Sequence, residues 1–121
     1  MKIDTVTKNG IPIAVISGDG VLIQDVGTAL DLMATVKYET GTSRIVVPKE
    51  TITDDFFCLS TRLAGEILQK FVNYGVKMAV IGDFSGYTSK PLKDFIYESN
   101  HGSDFYFVSD LQKGIDKLAA I

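Results

Sequence analysis

The run Gly82-Asp83-Phe84-Ser85-Gly86-Tyr87-Thr88-Ser89-Lys90 gathers a carboxylate, several hydroxyls, a phenol and an ammonium in one short segment. Such groups beside a helix N-terminus can hold a small anion. Ser85, Thr88 and Lys90 would donate, and the free amides of the helix would add to them. Asp83 and Tyr87 complete the candidate set. The same residues also suit a capped turn in which Asp83 accepts from loop amides. The G-x-x-x-x-G-K-[ST] pattern of a phosphate-cradling loop is absent. A second group, Ser60-Thr61, stands where a long helix is expected to begin, and a hydroxyl there caps the helix by accepting a backbone N–H. Ser17-Gly18-Asp19-Gly20 reads as a turn, because Ile23 breaks the G-x-G-x-x-G pattern.

His101 and Cys58 are the sole His and Cys. They are too few for a tetrahedral Cys/His zinc site, and one cysteine excludes an intramolecular disulfide. Cys58, between Phe57 and Leu59, reads as a buried small hydrophobe. His101 is expected near a helix end at the amino ends of the strands, where its cation would suit the helix dipole. A Ser–His–acid triad from Ser60 or Ser85 would have to reach His101 across the sheet. Phe56, Phe57, Phe84 and Tyr87 crowd the two candidate segments. Exposed together, they would form an apolar patch of the kind that marks partner surfaces.

These residues are carried by a chain of 121 residues, 45% hydrophobic and 22% charged, with a net charge of -3. That length and apolar content predict a single α/β domain over residues 1–121 with one real core. The acidic balance argues against a nucleic-acid partner bound through phosphates. No stretch approaches the roughly 20 apolar residues that span a bilayer, so no membrane partner is expected. The first residues lack the apolar region of a signal peptide, so a cytoplasmic protein is expected. Nothing in the residues calls for a cofactor or a metal.

Apolar periodicity divides the chain into elements that would position the candidate residues. Runs 2–8 and 11–17 flank Asn9-Gly10, a strong hairpin signal because both turn positions need positive φ. Asp25 caps a helix through about Glu39, with Val26, Leu30, Met33 and Val36 on one face and Gly41 as its stop. Arg44–Pro48 is a short buried strand, and TITDDFF after it a loop or helical turn. A helix from about Ser60 to Asn73 buries Ala64, Ile67, Leu68, Phe71 and Val72, with Glu66 and Lys70 as an i,i+4 pair outside. Val76–Ile81 is the next strand. Thr88 or Ser89 caps a helix with Pro91 in its first turn and Leu92, Phe95 and Ile96 inward. Phe105–Val108 is the last strand. Ser109-Asp110-Leu111-Gln112 fits a capping box, opening a helix with Leu111, Ile115 and Leu118 inward. The order ββαβαβαβα predicts a mixed, mostly parallel five-stranded sheet with about four helices and an antiparallel opening strand at one edge.

This order resembles the STAS domain of sulphate transporters and anti-sigma-factor antagonists. The local likeness lies in Phe57–Leu68, in Asn73–Val80, and in Gly102–Asp110 with the short helix after it. The resemblance implies a STAS-like fold, a regulatory role through a protein partner, and a phosphoacceptor at Ser60 or Thr61. A phosphate there would sit on a helix N-terminus. In STAS domains the acceptor serine follows an aspartate, whereas Leu59 precedes Ser60. The runs LDLMATVKYETG (30–41), LAGEILQKFVNYGVKMAVIGDFS (63–85) and LKDFIYESN (92–100) are similar, over nearly the full length, to the bacterial domain of unknown function 4180 family. That likeness implies a small bacterial cytoplasmic protein and no particular activity.

Two functional expectations follow. The first is a non-enzymatic STAS-like interaction or regulatory module, with a protein partner or a homodimer. The second is a small-molecule or anion-binding protein, or a minor enzyme, using the loop 82–90 with Asp83, Ser85, Tyr87, Thr88 and Lys90. No complete catalytic constellation is present, which inclines the balance to the first.

Overall fold

The Asn9-Gly10 turn closes as expected, with positive φ of 54° and 78°. In the computed structural model, which describes every residue from Met1 to Ile121, strand β1 (Lys2–Lys8) pairs antiparallel with β2 (Ile11–Ser17). Lys8 stands opposite Ile11 across the turn. Three parallel strands follow: β3 (Arg44–Pro48), β4 (Lys77–Ile81) and β5 (Phe105–Val108). The sheet order is β1-β2-β3-β4-β5, so each crossover steps to the next strand in the same direction.

Right-handed crossovers that always step the same way place their helices on one face. Helices α1 (Val26–Thr40), α2 (Leu63–Tyr74) and α3 (Lys90–Asn100) accordingly share the larger core cluster. That core holds Ala14 and Ile16 of β2, Ile45 and Val47 of β3, and Met78 and Val80 of β4. The alternate strand residues Ile13, Val46, Ala79 and Tyr106 face the other way, where Ile115 and Leu118 of α4 (Leu111–Ala119) cover them. Both faces of the central strands are therefore buried, which is why these strands read as continuous apolar runs.

The helix ends show which local signals decide. Asp25 caps α1 by accepting from the Thr28 amide at 2.8 Å, and Gly41 ends the helix in the left-handed region. Ser89, rather than Thr88, caps α3, with Pro91 in its first turn. The α4 cap is Asp110, whose side chain accepts from Lys113 N at 2.8 Å, so the expected Ser109/Gln112 box does not form. Ser109 instead accepts from the Lys113 ammonium, and Gln112 donates to Asp116. Leu111, expected inward, is the first residue of the helix and is 43% exposed, whereas Ile115 and Leu118 are buried.

The start of α2 is also a correction. The expected helix from Ser60 begins only at Leu63. Residues 54–61 instead form two short 3-10 turns, and Arg62 takes φ 67°, which breaks the helical path. The Thr61 hydroxyl holds this arrangement by donating to the carbonyls of Asp55 (2.7 Å) and Cys58 (2.8 Å). On α2, Val72 lies outside the buried stripe of Ala64, Ile67 and Phe71, and Glu66 and Lys70 make no ion pair.

The two sheet edges differ. At the β5 edge, the Asn100 side chain accepts from Phe107 N at 2.7 Å and donates to Phe107 O at 3.2 Å. A side-chain amide thus occupies backbone groups that would otherwise recruit another strand. The β1 edge carries Lys2 and Lys8 at its ends, and Lys8 pairs with Asp116 of α4.

Candidate functional site

The carboxyl ends of the parallel strands bring together residues 18–25, 49–62 and 82–89. The first two segments are zipped by backbone hydrogen bonds. Leu22 N and Ile23 N both donate to Thr51 O, at 2.7 and 2.9 Å, and Thr53 N donates to Ile23 O at 2.9 Å. Ile23 and Ile52 form a parallel bridge beyond the strands proper. Thr51 is buried and donates its hydroxyl to Pro48 O, so this short extension of the sheet leaves no orphaned polar group.

The second and third segments meet through aromatic rings. Phe57 stacks on Tyr87 with centroids 5.4 Å apart, and Phe84 lies within 6.4 Å of Tyr87 and 6.1 Å of Phe57. Below them Phe56 is fully buried against Phe57, Phe95, Phe105 and Phe107. The condition for an apolar patch, that Phe56, Phe57, Phe84 and Tyr87 be exposed together, is not met. The first two are buried, the last two half-buried, and together they fill the space between the loops. Their mutual packing satisfies the apolar surface internally, which is what aromatic groups in adjacent loops do when the chain permits contact.

Lys49, just past β3, is the residue that the sequence pattern concealed. Its ammonium sits 4.7 Å from the Tyr87 centroid and 3.5 Å from Asp83 O. A half-buried lysine over a tyrosine face is a cation–π contact. Its stem runs across Gly82, where an added Cβ would lie 2.7 Å from the Lys49 Cβ. Gly82 is thus the one residue type that lets Lys49 cross there. The conspicuous Gly-Asp at the strand end was the available signal, but its reason lies in a residue 33 positions earlier.

Within the loop 82–90 the candidate side chains divide. The Asp83 carboxylate accepts from Ser85 Oγ at 2.6 Å and Ser85 N at 2.9 Å. Those two bonds, with Lys49 adding a smaller attraction, hold its pKa below the ordinary carboxylate value. Lys90 turns along its own helix to Asp94 at 2.7 Å, and that bond raises its pKa. Thr88 is exposed and Tyr87 lies in the aromatic cluster. The structure joins Asp83 to Ser85 and Tyr87 to Lys49, but it does not bring Lys90 to them. A shallow hollow of about 460 Å³ opens beside Asp83, between Phe84, Ile96 and Ser109.

Ser60 is exposed, and its hydroxyl lies 3.3 Å from Cys58 Sγ. Cys58 is itself exposed, contrary to the buried position expected for it. The 3-10 turns direct Phe56 and Phe57 inward and leave Cys58 on the outside. His101 caps the end of α3, with Nδ1 2.7 Å from Tyr97 O and its ring over Tyr97. It lies at the amino ends of the strands, away from Ser60 and Ser85, as the topology requires. No group of three or more His, Cys, Asp or Glu side chains is placed to hold a metal ion. No helix is long and apolar enough to cross a membrane.

A different opening lies at the opposite end of the sheet. Between the last turns of α1 and the end of α2, a groove of about 390 Å³ descends to Ile45 and Val76. None of its lining residues belongs to the expected site.

The fold defines a mixed α/β protein whose sheet steps in one direction, with a filled loop cluster at the carboxyl end. The family described as "Domain of unknown function (DUF4180)" matches residues 8–118, and the chain belongs to that family. No curated protein and no solved structure matches the chain.

Proposed function

We propose that the chain is a non-enzymatic interaction or regulatory module of STAS-like architecture, acting in the bacterial cytoplasm through a protein partner or a second copy. The reading rests on Ser60, an exposed hydroxyl on a rigid base. Thr61 fastens the turn to the carbonyls of Asp55 and Cys58. A hydroxyl that receives a phosphate must enter a kinase site, and the surface around it must present the added charge unchanged. The exposure of Ser60 supports it as the acceptor over Thr61, whose hydroxyl is bonded to two carbonyls.

Capture from the native host with tagged wild type, Ser60→Ala and Ser60→Glu tests this reading. The expected result is a specific partner, or self-association, retained by one variant and weakened in the other. Absence of any specific partner for all three proteins overturns it. Intact-mass measurement of chain from native cells supplies the phosphate itself, as a gain lost in Ser60→Ala.

The hollow beside Asp83 prompts a second reading, a small-molecule or anion-binding protein using Asp83, Ser85, Tyr87, Thr88 and Lys90, of which Asp83 alone lines the hollow. Asp83 stands against it for anions, because a carboxylate at the rim repels them. Thermal-shift screening against phosphates and metabolites decides this. Stabilisation that vanishes in Ser85→Ala and Lys90→Ala supports the reading, and none at millimolar ligand removes it.

A further inference from the structure

The groove at the amino end of the sheet has the form of a ligand site. Its volume of about 390 Å³ falls in the range of small-molecule pockets. Its floor is apolar: Met33, Ile45 and Val76 are buried members of the larger core, and Leu30 packs beside them. Tyr74, 66% exposed, forms an aromatic wall.

Polar groups line it as well. Lys37 is the single charged residue lining the groove, and Ser43 and Tyr74 bring hydroxyls. The Lys37 ammonium spends one donor on Gly41 O at 3.0 Å, which leaves two. Two helix C-termini point to this end, and their negative partial charges would oppose an anion. Some of those carbonyls accept hydrogen bonds, which offsets part of that charge. Gly41 N donates to Lys37 O and the Thr40 hydroxyl to Val36 O. Gly75 N and Val76 N donate to Val72 O and Phe71 O. Lys37 is the one formal charge among the lining residues, and its free donors face what those partial charges leave.

We infer that this groove binds a small amphipathic carboxylate, its apolar body on Met33, Ile45 and Val76 and its carboxylate on Lys37 and Ser43. The site is at the far end of the sheet from Ser60, so it stands or falls independently of the partner reading.

Titration of the full chain with octanoate, octanol and octylammonium, followed by amide chemical shifts, tests the inference. Octanoate is expected to shift residues 30–37, 42–45 and 74–76 saturably at millimolar concentration. An exposed ion pair is worth up to about 1 kcal/mol, so reversing the ligand's charge should weaken binding about tenfold. On the same basis Lys37→Met should weaken octanoate about two- to fivefold and leave octanol unchanged. Ala34→Trp, an exposed rim position, should close the groove to both. The inference is overturned if octanoate shifts no amide in these segments, if octylammonium binds equally well, or if Ala34→Trp binds octanoate like wild type. The comparison of the three ligands uses wild type alone, so it holds even if a variant fails to fold.

Discussion

The two ends of the sheet are built on opposite plans. At the carboxyl end, long loops bring aromatic and polar side chains within reach of one another, and they bond among themselves. Phe57, Phe84 and Tyr87 fill the space, Lys49 covers Tyr87, and Asp83 is held by Ser85. At the amino end the connections are short, as at Gly41–Ser43 and Gly75–Val76, and cannot fold over the gap between α1 and α2. The gap stays open, with core residues as its floor. The residues richest in chemistry thus bond among themselves beside a shallow hollow, whereas the amino end opens down to core side chains. In an open sheet, ligand crevices form where the strand order reverses direction. Here the order never reverses, so the carboxyl end has no such crevice to supply.

Substitutions at the two ends should separate these plans by stability. Phe56→Ala removes the ring at the centre of the aromatic cluster and should cost about 3–5 kcal/mol in urea unfolding. A loss near zero would mean that the loops are not packed as described. Gly82→Ala forces a methyl against the Lys49 stem, with an expected loss of about 1–3 kcal/mol, and Lys49→Gly in the same chain, which removes the Cβ it meets, should recover part of it. Lys49→Met keeps the stem but not the charge, and should cost about 0.5–1 kcal/mol.

A smaller effect follows from acid. The Asp83 pKa is depressed in the folded chain, so its contribution is complete above the ordinary value of 3.8 and is lost as pH falls through the lower folded value. Asp83→Asn should therefore flatten the fall in stability below pH 3.8, read from denaturant midpoints across the acid range. Asp25, held by Thr28 in the same way, contributes to the same limb, so the flattening should be partial. Smallest of all, Ala34→Phe at the groove rim should change stability by no more than about 0.5 kcal/mol. A loss comparable to that of Phe56→Ala would show that the groove is closed in solution, and the contrast between the two ends would fail.

Much of this architecture was legible in the residues alone. The Asn9-Gly10 hairpin, the Asp25 cap, the Gly41 stop and the strands at 44–48 and 105–108 all depend on groups within a few positions of one another. Backbone sterics and short-range hydrogen bonds settle such features wherever the rest of the chain goes. The same logic misplaced the start of α2. Ser60 and Thr61 are good caps by type, but the Thr61 hydroxyl ties its turn to the carbonyls of Asp55 and Cys58, Arg62 turns left-handed, and the helix begins at Leu63. At Asp110 one cap displaced another one residue away, which makes Leu111 the first residue of the helix.

Local chemistry in the sequence therefore determined the element order, the parallel sheet and the list of residues able to do chemistry. Tertiary structure alone decided what those residues touch. Lys49 and Gly82 lie far apart in the chain, as do Asn100 and the β5 edge it closes, or Lys37 and the Val76 floor beneath it. Contacts of that kind arise from the way helices settle on a twisted sheet, and no periodicity within a segment records it. For that reason the loop richest in functional groups proved to be self-satisfied, while the open groove formed among residues that the sequence marked only as core and helix end.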